Sequence, residues 1–477
     1  MRLCSLAPVC AMALGLTAVT GLKVSAMTFK PTEGRMWDVC VLYHDGTYYL
    51  GYTANSQGQR TALGIATSSD GVHWKDRGIV RKGTGSGSLW KSPNFKKDGK
   101  FQYNSQLFDY RGPGQRIGFF ESTDLFHWEA TNTMFDIDPR WYKTDGRWDC
   151  ISVTPRPAGG YYGYWSATPK DGSFGFGFGE STDGIHWTVL GPPKVDWGSY
   201  GSYKPEHCEV GGLDVIDGKY RAMINFSRRP GSRMLSLVAD WPEGPFVLAK
   251  KNPTLFDGDA HFARFFPSPD GMLVVHFTLT KEDERDGQPR DPNYMALMKR
   301  AVVDKEGTLR LAYWQGNEKL KGEAVAAKTP ALEKALAILE PRLDVERGFI
   351  LEGTMRLPDK ESAQLPGIYL ESGEERPTVV RILPNGASQI GTVKPDGSDF
   401  QPRAADVVYG GLAEIDRQMS FGPTARFRLL VRHGMLEFYL DDILFHIRSL
   451  SKPATGKIGI VGTPGSVTAL KAWQMSL

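Results

Sequence analysis

The chain has 477 residues, of which 41% are hydrophobic and 23% charged, with a formal net charge of +3. That length favours two domains over one, and so neutral a balance excludes a nucleic-acid binder, which needs a concentrated positive surface. After the first residues no apolar run is long enough to span a bilayer, so neither a membrane span nor nucleic acid is expected among the partners.

Residues 1–26 read as an export leader. Arg2 supplies a basic start, an apolar run follows, and Val24-Ser25-Ala26 forms a small-residue cleavage site. Cleavage removes two cations, Arg2 and Lys23, and lowers the formal charge from +3 to +1. The expected location is the periplasm or the extracellular space. Cys4 and Cys10 leave with the leader, so Cys40, Cys150 and Cys208 remain. Three thiols in so long a chain make no disulfide framework; at most one pair could form, and free buried thiols are the expectation.

Residues 27–317 are expected to form one domain of repeated units. The run SSDGVHW at Ser68–Trp74 returns as STDLFHW at Ser122–Trp128 and STDGIHW at Ser181–Trp187. Degenerate forms follow around Asp240 (VADWPEGPF) and Asp304 (VVDKEGTL). Between these marks run short apolar and aromatic segments broken by HDGTYY, KDGKFQY, RPAGGYYGY, IDGKYRA and SPDGMLVV, which carry hairpin-turn chemistry. Five such units, each of about four strands, predict the blades of a propeller, because a lone blade cannot cover its own faces. Copies spread around a rim argue for scaffold. The Asp caps a turn, the Gly of the first and third copies supplies a permissive φ, and the Trp packs between blades.

Chemistry is sought where equivalent positions differ. The predicted inner strands offer Asp38, then Trp90 and Ser92, then Asp149, Glu209 and His261 to one axial cavity. Carboxylates on otherwise apolar strands are costly unless paired or used. Ion pairing, or a cation at the channel mouth, would explain each one singly. Three together suit glycosidic chemistry, which needs one carboxyl protonated to donate to the leaving oxygen and another ionised. Crowding holds such a proton in place by like-charge repulsion.

This arrangement resembles the five-bladed glycosidases of glycoside hydrolase families 43 and 32, over residues 35 to about 316. The resemblance implies that Asp38 is general base or nucleophile, that Asp149 tunes pKa and holds substrate, and that Glu209 is the general acid. Glu206 is a rival for the last role. The Asn-Asp-Pro-Asn-Gly box of family 32 is missing, since this chain has Met36-Trp37-Asp38-Val39-Cys40. Arg147-Trp148-Asp149-Cys150 replaces its Arg-Asp-Pro box, and its Glu-Cys pair has only a reversed echo in Cys208-Glu209. These departures weigh against a fructosidase. His261 resembles the fifth-blade histidine of family 43 near a channel cation, such as calcium, or a water; a sugar contact or a core role are its alternatives. No organic cofactor is expected.

Around these groups Trp37, Trp90 and Trp148 offer flat faces to a sugar, although blade packing competes for each. Arg35, Lys91, Arg147, Arg228 and Arg229 gather near the same mouth. Expected substrate contacts are Trp37, Trp90, Ser92, Trp148, Arg147, His261 and Arg228. The expected function is an exo-acting glycoside hydrolase on the terminal sugar of an oligosaccharide or polysaccharide, of the arabinofuranoside or xyloside kind. A β-fructosidase and a non-catalytic carbohydrate-binding propeller are the alternatives.

Residues 318–345 read as a linker with a short helix near 329–340. Residues 346–477 alternate through GIYLES, TVVRILPN, ARFRLLVRHG, MLEFYLDD and GKIGIVG, as a β-sandwich requires. The run RFRLLVRHGMLEFYLDDILFHIRS resembles the C-terminal sandwich of family 32. The fold class is therefore all-β, a five-bladed β-propeller followed by a β-sandwich, with the oligomeric state left open.

Overall fold

The computed structural model describes residues 29–32, 35–56, 59–107, 115–203, 207–227, 233–249, 254–257, 259–279, 293–328, 332, 335–359, 364–402, 415–416, 422–450 and 452–476. The expected leader at residues 1–26, Glu206, Arg228 and Arg229 lie outside the described residues. Among the described residues no helix is long and apolar enough to cross a membrane.

Four-stranded antiparallel meanders dominate the first two thirds of the chain. The first unit pairs Arg35–His44, Thr47–Ser56, Gln59–Ser68 and Lys75–Lys82 in that order. The second pairs Gly87–Lys91, Phe101–Leu107, Arg116–Ser122 and Glu129–Phe135. Trp148–Pro155, Tyr161–Ala167, Gly177–Ser181 and Thr188–Leu190 make the third. The fourth runs His207–Ile216, Lys219–Ser227, Arg233–Ala239 and Phe246–Leu248, and the fifth Ala260–Ser268, Gly271–Leu279, Lys299–Val303 and Leu309–Tyr313. The first strand of each unit packs against the first strand of the next, and that of the fifth against that of the first. The domain is thus propeller-like, with these first strands innermost.

The repeated heptad is a turn device. Asp70 Oδ1 accepts the amides of Val72 and His73 at 2.9 Å each, while Oδ2 meets His73 Nδ1 at 2.8 Å. Asp124 and Asp183 repeat the pattern with His127 and His186. Trp128 and Trp187 close the same turns by donating to the carbonyls of Leu125 and Gly184. Gly71 holds φ +75°, and a Cβ there would lie 2.7 Å from the Trp314 ring, so the first copy needs glycine. Burial raises the Asp70 pKa, but the hydrogen bonds from His73 and the backbone outweigh it and leave the carboxyl well below its usual range.

Asp214, on the inner strand of the fourth unit, behaves oppositely. Burial pushes its carboxyl up to about 6. A raised folded-state pKa stabilises the fold below the unfolded value near 4 and withdraws that stability as pH rises through about 6. Asp214→Asn is therefore expected to raise Tm relative to the parent at pH 8 and to bring no gain at pH 4, measured by thermal melts across that range.

A second pair of sheets completes the chain. One carries Lys321–Val325, Val467–Met475, Phe349–Arg356, Thr424–Arg432, Met435–Leu440 and Ile443–Ser449. The other carries Leu336–Ile338, Ala454–Val461, Gly367–Ser372, Thr378–Ile382, Ala387–Thr392 and Gln401–Pro402. Their inner faces share one apolar core that includes Phe349, Leu351, Ile368, Phe427, Phe438 and Ile458. Two edge strands come from the segment expected to link the domains, and Leu336–Ile338 is a strand where a helix was expected. Its backbone groups find ladder partners in Ala454–Val461, which outweighs the helix propensity of its alanines. The sandwich also continues the fifth blade, since Ala312 pairs with Ile443 and the Tyr313 amide donates to the Asp442 carbonyl at 2.7 Å.

Candidate active site

Irregularities in the inner strands aim the acidic groups. Ladder register shifts between Trp37 and Cys40, between the partners of Asp149 and Ser152, between Val210 and Gly212, and between His261 and Arg264. Each bulge bends the strand and re-aims a side chain near its start. Asp38, Cys150 and Phe262 occupy left-handed backbone at φ 41°, 55° and 54°. Non-glycine residues hold such a conformation at a cost, which the surrounding sheet must offset.

The structure brings Asp38, Asp149 and Glu209 into one electrostatic neighbourhood; the charges of the other two both act on Asp149. Arg147 joins two of them. Its Nε lies 2.8 Å from Asp149 Oδ2, and its Nη2 lies 2.6 Å from Glu209 Oε1. Asn225 Nδ2 donates to Glu209 Oε2 at 2.5 Å, and His261 Nε2 stands 3.3 Å from the same oxygen. Both oxygens of Glu209 are therefore held, and its orientation is fixed from three blades. Asp38 Oδ2 accepts a short hydrogen bond from Ser86 of the second blade. Burial raises the Asp149 pKa, Arg147 opposes that rise, and the neighbouring charges of Glu209 and Asp38 add to it. Asp149 Oδ1 is buried and has no hydrogen-bond partner among the described residues.

Other expected contacts lie elsewhere. Trp148 is fully buried, donates to the Phe135 carbonyl and packs between Tyr142 and Trp165, so no face remains for a sugar. Trp90 is 5% exposed and donates to Gln102 in the same core, which assigns it to blade packing. Ser92 Oγ donates to Asp98 Oδ2 at 2.7 Å and accepts the Asn94 amide, which ties it to the helical turn Phe95–Asp98. Trp37 alone of the three tryptophans stays partly exposed, edge-on to Phe277 at 5.8 Å, and Phe277 also touches the His261 ring. Cys40, Cys150 and Cys208 are free and buried. Among the described residues no group of three or more His, Cys, Asp or Glu is placed to hold a metal.

Ser86, Ser88, Asn225 and Arg264 take part in the site or its surroundings and were not singled out from the sequence. In the second blade, counting back from Asp98-Gly99 lands at Trp90 and Ser92. The helical turn before that hairpin adds residues, so the channel positions fall earlier, at Ser86 and Ser88. Asn225 lies directly across the ladder from Glu209, a pairing visible once the hairpin register is known.

Arg147→Lys tests the clamp. A lysine offers a point charge in place of a planar fork and cannot repeat both contacts. Turnover is expected to fall about tenfold to a hundredfold, measured as kcat, with a smaller change in KM.

No protein-family model and no curated protein matches the sequence. Solved structures do match. Sucrose-6-phosphate hydrolase from Lactobacillus gasseri superimposes with a TM-score of 0.72 at 14% identity, covering 94% of this chain and 93% of that one. Exo-inulinase from Aspergillus awamori gives 0.69 at 14% identity, with 94% and 98% covered. Fructan 1-exohydrolase IIa from Cichorium intybus gives 0.67 at 12% identity, with 94% and 96% covered. Over 94% of its length the chain shares their fold, a propeller-like domain followed by a β-sandwich.

Proposed function

We propose that the protein is an exported glycoside hydrolase that removes terminal fructose units from sucrose- or fructan-type sugars. The observation that carries this reading is the Arg147 clamp. It sets one carboxylate of the third blade against one of the fourth, with Asp38 facing them from the first. Similar folds named for sucrose, inulin and fructan favour fructosides over the arabinofuranoside or xyloside substrate expected first.

In this reading Glu209, oriented by Arg147, Asn225 and His261, passes a proton to the leaving oxygen. Asp38, held by Ser86, attacks the anomeric carbon or activates a water. Asp149 and Arg147 bind hydroxyls of the terminal ring, and the open side of Trp37 packs on its apolar face. One polar wall and one aromatic wall suit a sugar, whose two faces differ in the same sense. The leader at residues 1–26 supports export.

The test is NMR and chromatographic analysis of products from sucrose, inulin-type and levan-type oligosaccharides, beside arabinofuranosides and xylosides. Fructose released one unit at a time supports the proposal, and the anomer first formed gives the stereochemical course. Pentose release alone would transfer the assignment to the other substrate class. Binding without turnover on every sugar would remove the hydrolase.

A further inference from the structure

The centre of the propeller-like domain holds a guanidinium with too few acceptors. Arg264 leaves the inner strand of the fifth blade three residues after His261 and is only 4% exposed. Its Nη1 donates to Ser88 Oγ of the second blade and, at 3.5 Å, toward the Gly211 carbonyl of the fourth. The Phe262 ring lies 4.6 Å from the guanidinium carbon. Nε and Nη2 are buried and have no acceptor among the described residues.

A second unmatched donor is linked to it through Ser88. Asn104 is fully buried and pairs with Ser88 across the ladder, its Oδ1 accepting the Ser88 amide at 2.7 Å. Its Nδ2 has no acceptor either. Among the described residues no carboxylate hydrogen-bonds or ion-pairs with Arg264. Cys40, Cys150 and Tyr103 feel the Arg264 charge, and burial keeps all three neutral by pushing their pKa values up. Asp38 acts on the same three groups, but its Oδ2 is engaged by Ser86.

Each buried donor left without a partner costs about 1–3 kcal/mol, and more on a charged group, so native folds rarely keep three together. A neutral water accepts two hydrogen bonds but brings two protons that need acceptors of their own. A small anion accepts from every donor and also offsets the buried charge. We propose that Arg264 Nε and Nη2 and Asn104 Nδ2 form a buried axial site for a small monovalent anion of the halide class, chloride in the native setting. The proposal does not depend on the reaction proposed above.

The experiment uses the full mature protein, dialysed free of halide. Sodium chloride or bromide should raise Tm saturably by roughly 2–4 °C over sodium methanesulfonate at the same ionic strength. Crystals grown in bromide should show an anomalous peak at hydrogen-bond distance from Arg264 Nη2 and Asn104 Nδ2. The near-isosteric Asn104→Asp keeps the acceptor for the Ser88 amide and supplies its own negative oxygen to the guanidinium. It should melt higher than the parent without halide and lose the halide response. Equal melting in methanesulfonate and chloride, a water without anomalous signal at the site, or an undiminished halide response in N104D would overturn the inference. If N104D does not fold, the bromide map of the parent protein decides alone.

Discussion

Asp38→Asn is expected to lower kcat on the fructoside proposed as substrate by about a thousandfold or more, with Tm close to that of the parent. The asparagine keeps the side-chain shape and an oxygen that can accept from Ser86, so the bulged strand has little reason to move. The negative charge disappears, and with it the group that attacks or activates water. Removing a positioned base or nucleophile of this kind typically costs two to four powers of ten or more. Glu209→Gln should lose turnover to a similar degree but cost stability as well. A glutamine there has one acceptor oxygen for two donors, Arg147 and Asn225, so an amide N–H is turned toward one of them. The contrast is itself diagnostic. Equal turnover in the parent and both variants would place the chemistry outside this cluster, whereas a parent with no turnover would point to a binding protein.

The architecture was legible because blades repeat. The Ser-Ser/Thr-Asp-x-x-His-Trp turns recur at a blade's length, and in the structure all three fall between the third and fourth strands of their units. Their Asp and His side chains bind one another and the local backbone, as repeated scaffold should. Asp38, Asp149 and Glu209 were visible as acids on otherwise apolar inner strands. What pattern could not carry was register. Trp148 sits next to Asp149, and a strand read with strict alternation says only that the two face apart. The bulge at Cys150 and the packing of Tyr142 and Trp165 decide that its ring lies in the core. In the second blade a helical turn displaced the count by several residues and gave Ser92 in place of Ser86 and Ser88. Arg264 escaped notice because a buried arginine in AHFARFFPS reads as ordinary strand composition. Its significance depends on which blades meet at the axis.

The sandwich touches the functional end of the fifth blade. Arg448 binds Asp259 at 2.8 Å, and the Ser449 amide donates to the same carboxylate, two residues before His261. Arg428 stacks 3.5 Å over the Tyr313 ring and pairs with Glu352 and Asp442, joining the two domains through aromatic and charged contacts at once. Loosening this seam should therefore loosen the strand that carries both His261 and Arg264.

Lys299→Met is accordingly expected to produce the largest loss of stability among single substitutions considered, about 3–5 kcal/mol. Lys299, at the start of a fifth-blade strand, is fully buried, and its Nζ reaches Glu437 of the sandwich at 2.6 Å and the Leu297 carbonyl at 2.7 Å. Burial lowers the lysine pKa, and the Glu437 charge and its hydrogen bond oppose that shift. Tyr439 donates to the other Glu437 oxygen. Removing the ammonium leaves a buried carboxylate with one hydroxyl and, among the described residues, no counter-charge at contact, which is where the cost arises. The double replacement Lys299→Met with Glu437→Leu removes both charges and leaves only the Tyr439 hydroxyl and the Leu297 carbonyl to be satisfied. It should recover most of the loss, because well-packed apolar groups commonly match a buried ion pair. Urea or thermal melts of the two singles and the double form the cycle that measures this coupling. A double variant as unstable as the sum of its singles would show that packing volume, not the charge pair, joins the sandwich to the fifth blade.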